Sequence, residues 1–104
     1  MTDFYFKIFN TTWTVSFVDK IEKVDANDDS FSFGRMYCDR NSIQIATRDS
    51  KGNRLSEDTI KLTLYHEMFH AILFAGQYNN SCEDEPLVEW LANCIFSLKK
   101  QGKL

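Results

Sequence analysis

The sequence predicts an α+β fold: a small, mainly antiparallel sheet from residues 4–47, packed against a buried helix and a second, C-terminal helix. Three observations predict it. Apolar residues alternate with polar ones through much of the first half, the period of half-buried strands. After Ser56 the chain turns to apolar runs too long for a strand. Clusters of Asn, Asp, Gly and Pro punctuate both halves where hairpin turns and helix ends are expected. With 104 residues the chain supports one core, so residues 1–104 are read as a single domain.

The elements follow in order. Phe4, Phe6 and Ile8 alternate with Tyr5 and Lys7; Asn10-Thr11-Thr12 breaks the run; Trp13, Val15 and Phe17 then alternate with Thr14 and Ser16. Aromatic and β-branched residues on either side of a short polar break signal a hairpin. Residues 19–30, DKIEKVDANDDS, are acidic and aperiodic, which predicts a solvated loop with one helical turn near Ile21. A second hairpin is expected from residues 31–37 and 42–47. They are joined through Asp39-Arg40-Asn41, where Asp and Asn can bond their own backbone and tolerate the left-handed region. Residues 48–55 form another turn-rich loop. Residues 43–47 are expected to lie beside the following helix and to offer an exposed edge to an extended peptide.

Ser56 is a good N-cap, and Glu57 and Asp58 put negative charge in the first turn, where it suits the helix dipole. From Ile60 to Phe74 nearly every face is apolar, so this helix is expected to be buried on all sides, with Gly76 as its stop. After a loop over residues 77–83, Asp84-Glu85-Pro86 opens the second helix, with Pro where a missing N–H costs nothing. Leu87, Val88, Leu91, Ile95 and Leu98 give that helix its core stripe.

Composition narrows the function. Hydrophobic residues at 43% and charged residues at 26% match a globular chain rather than a disordered one. A net charge of -3 without a clustered basic face argues against nucleic acid. Lys99, Lys100 and Lys103 read instead as a helix end meeting its dipole. The start, MTDFYFKIF, has neither the basic opening nor the apolar run of a secretory signal, and no stretch approaches the roughly 20 apolar residues that span a bilayer. Cys38, Cys82 and Cys94 are odd in number and widely spaced, which fits a reduced, cytoplasmic setting and offers no C-x-x-C pair to a metal.

Polar residues in the middle of an apolar helix cost several kcal/mol unless something satisfies them, and His66, Glu67 and His70 lie there, in the segment HEMFH. Two histidines four apart on a helix project from one face and can reach one metal ion at roughly 2.0–2.1 Å. Glu67 can then reach a water on the open side and act as general base. The chain has two histidines and both are in this motif, so a third ligand for one Zn2+ must be a carboxylate or thiolate. The second helix offers Glu85 and Glu89, again four apart. One order has Glu85 on the metal and Glu89 accepting the N–H of a ligating histidine; the reverse, with Glu89 as ligand, is the alternative. A core pair of histidines bonded to the sheet is the plain structural reading. A metal site without a use for Glu67 would be a zinc-stabilised binding protein.

TLYHEMFHAILFAG followed by EDEPLVEWLANCIFSL resembles the small zincin-like proteins of bacteriophages and bacterial mobile elements, over residues 43–98. More distantly it is similar to the anti-repressor metallopeptidases of integrative elements and to gluzincins such as thermolysin. The resemblance implies a minimal zincin-like fold and zinc-dependent cleavage of a peptide or protein substrate. It implies His66, His70 and Glu85 as ligands and Glu67 as catalytic base. Two departures stand out: the interval from His70 to Glu85 is shorter than in large gluzincins, and no second lobe supplies an oxyanion-stabilising histidine. Tyr78 or Tyr65 is the candidate for that task.

Overall fold

In a computed structural model, which describes residues 1–21 and 32–104, the alternating first half forms four strands: β1 (Phe4–Ile8), β2 (Thr11–Val18), β3 (Gly34–Tyr37) and β4 (Ser42–Ala46). Both expected hairpins are present. β1 pairs antiparallel with β2, and β3 antiparallel with β4. The second hairpin turns where Asn41 takes the left-handed region at φ 49, a conformation its short amide side chain tolerates. The first turns one residue earlier than its polar break suggests, at Phe9 (φ 52) and Asn10, so that β2 already begins at Thr11.

The order across the sheet is β1-β2-β4-β3, and the seam between β2 and β4 is parallel, with Val15 opposite Ile43 and Phe17 opposite Ile45. The sheet is therefore mixed, and β4 is internal rather than an edge. Burial goes with that place: Ile43, Ile45 and Ala46 keep no exposed surface, and the most deeply buried strand is a central one. The edge beside the helices belongs to β3.

Trp13, Val15, Ile43 and Ile45 on one face of the sheet pack with Ile60 and Ala71 of α1 (Glu57–Ala75) to make the core. Ser56 caps α1 by accepting from the Thr59 N–H at 3.1 Å. The helix is buried less completely than its composition suggests; Ile72 is exposed, and Leu73 and Phe74 are half-covered. Gly76 is not the left-handed residue at its end. It sits at φ -83, and Gln77 takes φ 64, with Gln77 donating to Phe74 and Tyr78 to Leu73 in a Schellman closure. Gly76 answers a different need, since a Cβ there would meet the Tyr78 ring at 2.9 Å.

The expected loop after α1 contains one helical turn, α2 (Asn79–Cys82). It leads to α3 (Glu85–Lys100), capped by Asp84 accepting from the Leu87 N–H at 3.1 Å. α3 packs along α1 through Val88 and Ala92, which are buried, and through Leu91 and Ile95; Leu98 falls outside the stripe. Lys100 closes the far end with an ion pair to Asp58 at 2.6 Å. Ile21 is buried, while the rest of the helical turn expected around it lies outside the described residues. None of the described helices is long and apolar enough to cross a membrane.

Candidate metal centre

α1 lies between the sheet and α3, so the face carrying His66 and His70 looks across at the first two turns of α3. Glu85 and Glu89 stand there, one turn apart. The Glu85 carboxylate reaches both rings, with Oε2 2.9 Å from His66 Nε2 and Oε1 3.1 Å from His70 Nε2. The two Nε2 atoms are themselves 3.1 Å apart. These three residues form a group close enough to hold a metal ion. Glu89 takes the other side of His66, its Oε2 3.2 Å from Nδ1. The structure thus gathers His66, His70 and Glu85 at one point and sets Glu89 behind one ring.

His70 is held from behind as well. Its Nδ1 bonds the backbone carbonyl of Cys82, and the Cys82 thiol bonds the His70 carbonyl at 3.3 Å. With Nδ1–H donating outward on each ring, to Glu89 and to Cys82, both Nε2 atoms turn a lone pair towards Glu85. In that tautomer two lone pairs and a carboxylate lie within 3.1 Å of one another, an arrangement that a proton on a ring nitrogen or a cation among them relieves. A zinc ion bonded at about 2.0–2.1 Å separates tetrahedral ligand atoms by roughly 3.3 Å, close to the spacing seen. The donor set fits such an ion.

Glu67 lies round the helix from the histidines, towards β3. It is 7% exposed. Burial, reinforced by the neighbouring Glu85 charge and opposed by Arg35, pushes its carboxyl up to about 7. Glu67 and Gly34 border hollows on both sides of the centre. One, of about 600 Å³, runs past His70, Glu85, Met36, Phe74 and Cys82; the other, of about 310 Å³, runs past His66, Glu89, Leu62 and Thr63. They form a cleft along the edge strand β3.

Tyr65 and Tyr78 do not border this cleft. Tyr65 packs against Phe96 at a centroid distance of 6.5 Å, and Tyr78 is 63% exposed beyond the end of α1. Three contributors to the site escape a reading of the sequence. Gly34 is the first: a Cβ there would stand 2.6 Å from Thr63 Cγ2 and 2.9 Å from Glu67 Cγ, so only glycine lets the edge strand pass so near. An isolated glycine in a strand pattern is a signal of close approach. Arg35, whose charge is felt by Glu67, follows from strand register alone. The Cys82 carbonyl is backbone and leaves no trace in residue types. The chain matches no known protein-family model, no curated protein and no solved structure.

Proposed function

We propose that this protein is a zinc-dependent peptidase of the zincin type, in which His66, His70 and Glu85 hold one zinc ion and Glu67 is the general base. The observation that carries the reading is the convergence of two histidine Nε2 atoms and one carboxylate within 3.1 Å, beside a buried glutamate at the wall of a cleft. Three protein ligands leave a position open, as in catalytic rather than structural zinc sites. Zinc bound there supplies Lewis acidity, lowering the pKa of a coordinated water toward about 7.

The protein's own groups do the rest. Glu67, tuned to about 7 in the metal-free protein, is matched to take a proton from the attacking water near neutral pH and return it to the leaving amine. Among the described residues no hydrogen bond pins its carboxylate. Glu89 and the Cys82 carbonyl fix the ring orientations, keeping both Nε2 atoms on the open centre. β3 pairs only with β4 among the described residues, so its outer edge can take an extended peptide as a further strand and draw it past Glu67. This edge replaces β4, which is internal.

Glu67→Gln tests the reading. It should keep zinc and fold while losing cleavage of a peptide library by about 100-fold or more, because an amide cannot accept the proton. Full activity in that variant removes Glu67 as base. A wild-type chain that binds zinc and cleaves nothing in the library is a zinc-stabilised binding protein instead.

A further inference from the structure

Arg35 is the one arginine or lysine bordering either hollow of the cleft, whose walls otherwise carry Glu67, Glu83, Glu85 and Glu89. It is half-buried, and its guanidinium stands 5.5 Å from the centre of the Tyr37 ring. Among the described residues no carboxylate forms an ion pair with it. Its row across the sheet is neutral: Gln44 stands beside it on β4 and Ser16 beyond that on β2. The Gln44 amide oxygen is taken by the Tyr37 hydroxyl at 3.2 Å. The one side of Arg35 left without a strand is the outer edge of β3.

Register fixes what an added strand sets beside it. Ala46 donates to the Phe33 carbonyl at 2.7 Å, and along an antiparallel ladder bonded pairs alternate with unbonded ones. Phe33, Arg35 and Tyr37 therefore direct their backbone groups to β4, while Gly34 and Met36 direct theirs outward. The Ser32 hydroxyl already donates to the Gly34 carbonyl at 2.6 Å, which leaves the Gly34 N–H and both Met36 groups for an incoming strand. Residues directly across from one another on paired strands share a face of the sheet. Met36 packs on the core side, so peptide residues beside Gly34 and Met36 turn inward to the cleft. The residue between them stands on the outer face, against Arg35.

We propose that Arg35 is the specificity-determining residue of this edge and selects peptides with Asp or Glu at the position beside it. The inference rests on the reading of β3 as a peptide-binding edge, and not on turnover. A guanidinium with no carboxylate partner is suited to hold one in paired, charge-assisted hydrogen bonds. Lys or Arg at that position meets like charge and is rejected. The acid-lined hollows oppose an acid at the inward-facing positions, which confines the preference to a single residue of the peptide.

Fluorescent peptides with both ends blocked test it, each neutral except for one Asp walked along the chain, with Asn and Lys versions as controls. Binding is read by anisotropy on the zinc-loaded Glu67→Gln protein, where cleavage does not consume the peptide, and cleavage on the wild type. At one position Asp should be favoured over Asn by about tenfold. Arg35→Gln should remove that preference, and Arg35→Glu should transfer it to the Lys peptide; the Gln variant suffices should the Glu variant lose its circular dichroism. A protein indifferent to Asp at every position overturns the proposal, and so does a preference that survives in Arg35→Gln. Binding that keeps the Arg35-dependent preference without any cleavage removes the peptidase reading and leaves the selection by Arg35 standing. Failure to bind any peptide removes both.

Discussion

Cys82 and His70 hold each other twice, ring to carbonyl and thiol to carbonyl, across the turn that joins α1 to α3. The thiol is buried, and burial raises its pKa above the ordinary range, with the neighbouring carboxylates and Cys38 adding to the effect. Less thiolate and less access both slow alkylation. Cys38, which is exposed, should react first with iodoacetamide, and Cys82 at least about tenfold more slowly. Peptide mapping of a time course reads the order, and equal rates at the two positions would contradict the described burial.

On the proposed reading Glu85 is a ligand and Glu89 a support of the His66 ring. The wild-type protein should carry about one equivalent of zinc, lost in His66→Ala or His70→Ala. Glu85→Ala should lose it to a mild chelator, whereas Glu89→Ala, acting through the His66 Nδ1 atom, should weaken binding by about 10–100-fold. Elemental analysis and chelator competition give both numbers. A larger loss at Glu89 than at Glu85 reverses the two roles.

Glu67 makes the metal-free protein sensitive to pH. Its carboxyl rises from 4.5 in the unfolded chain to about 7 in the folded one. Between those values the folded state keeps a proton that the unfolded chain has released, so stability falls as pH rises through this window. The contribution is whole below 4.5 and gone above about 7, at most about 3 kcal/mol. Urea unfolding in chelator at pH 5 and pH 7.5 should show the drop, and Glu67→Gln should flatten it. A Gln variant with the same pH slope as the wild type assigns the effect elsewhere.

Gly34→Ala should destabilise by about 1–3 kcal/mol, because a methyl group there presses on Thr63 and on the Glu67 side chain. Thr63→Ala removes the methyl that stands closest. The double variant should therefore recover part of the loss, which a double-mutant cycle of unfolding free energies measures. Strict additivity would mean that β3 shifts away from α1 instead of pressing on it.

Much of this architecture is written locally and was legible in the sequence. The two hairpins follow from alternation around polar breaks, and both long helices from their caps, Ser56 and Asp84. His66, His70, Glu85 and Glu89 come together because two pairs with helical spacing face each other across a short connection. What could not be read depends on partners distant in the chain. Nothing near Ile43 states that β2 is its neighbour or that the pairing is parallel. Nor does any local signal put the left-handed residue at Gln77 when a glycine stands beside it. Phe9 adopts φ 52 at a hairpin tip while 95% exposed, a place where Gly or Asn is the usual choice. Residue preferences alone move that turn to Asn10.

The parallel seam between β2 and β4 also governs the order of assembly. Each hairpin closes over a few residues and can form within microseconds. β4 can meet β2 only when the second hairpin swings round to lay its inner strand against the first. Loop-closure entropy falls on that docking step, so it is the natural bottleneck of folding. Truncating Val15 or Ile43 at the seam should then slow refolding, while changes in the ladder between β1 and β2 mainly hasten unfolding. The strand that borders the cleft reaches its station as a passenger of this event, carried in by β4.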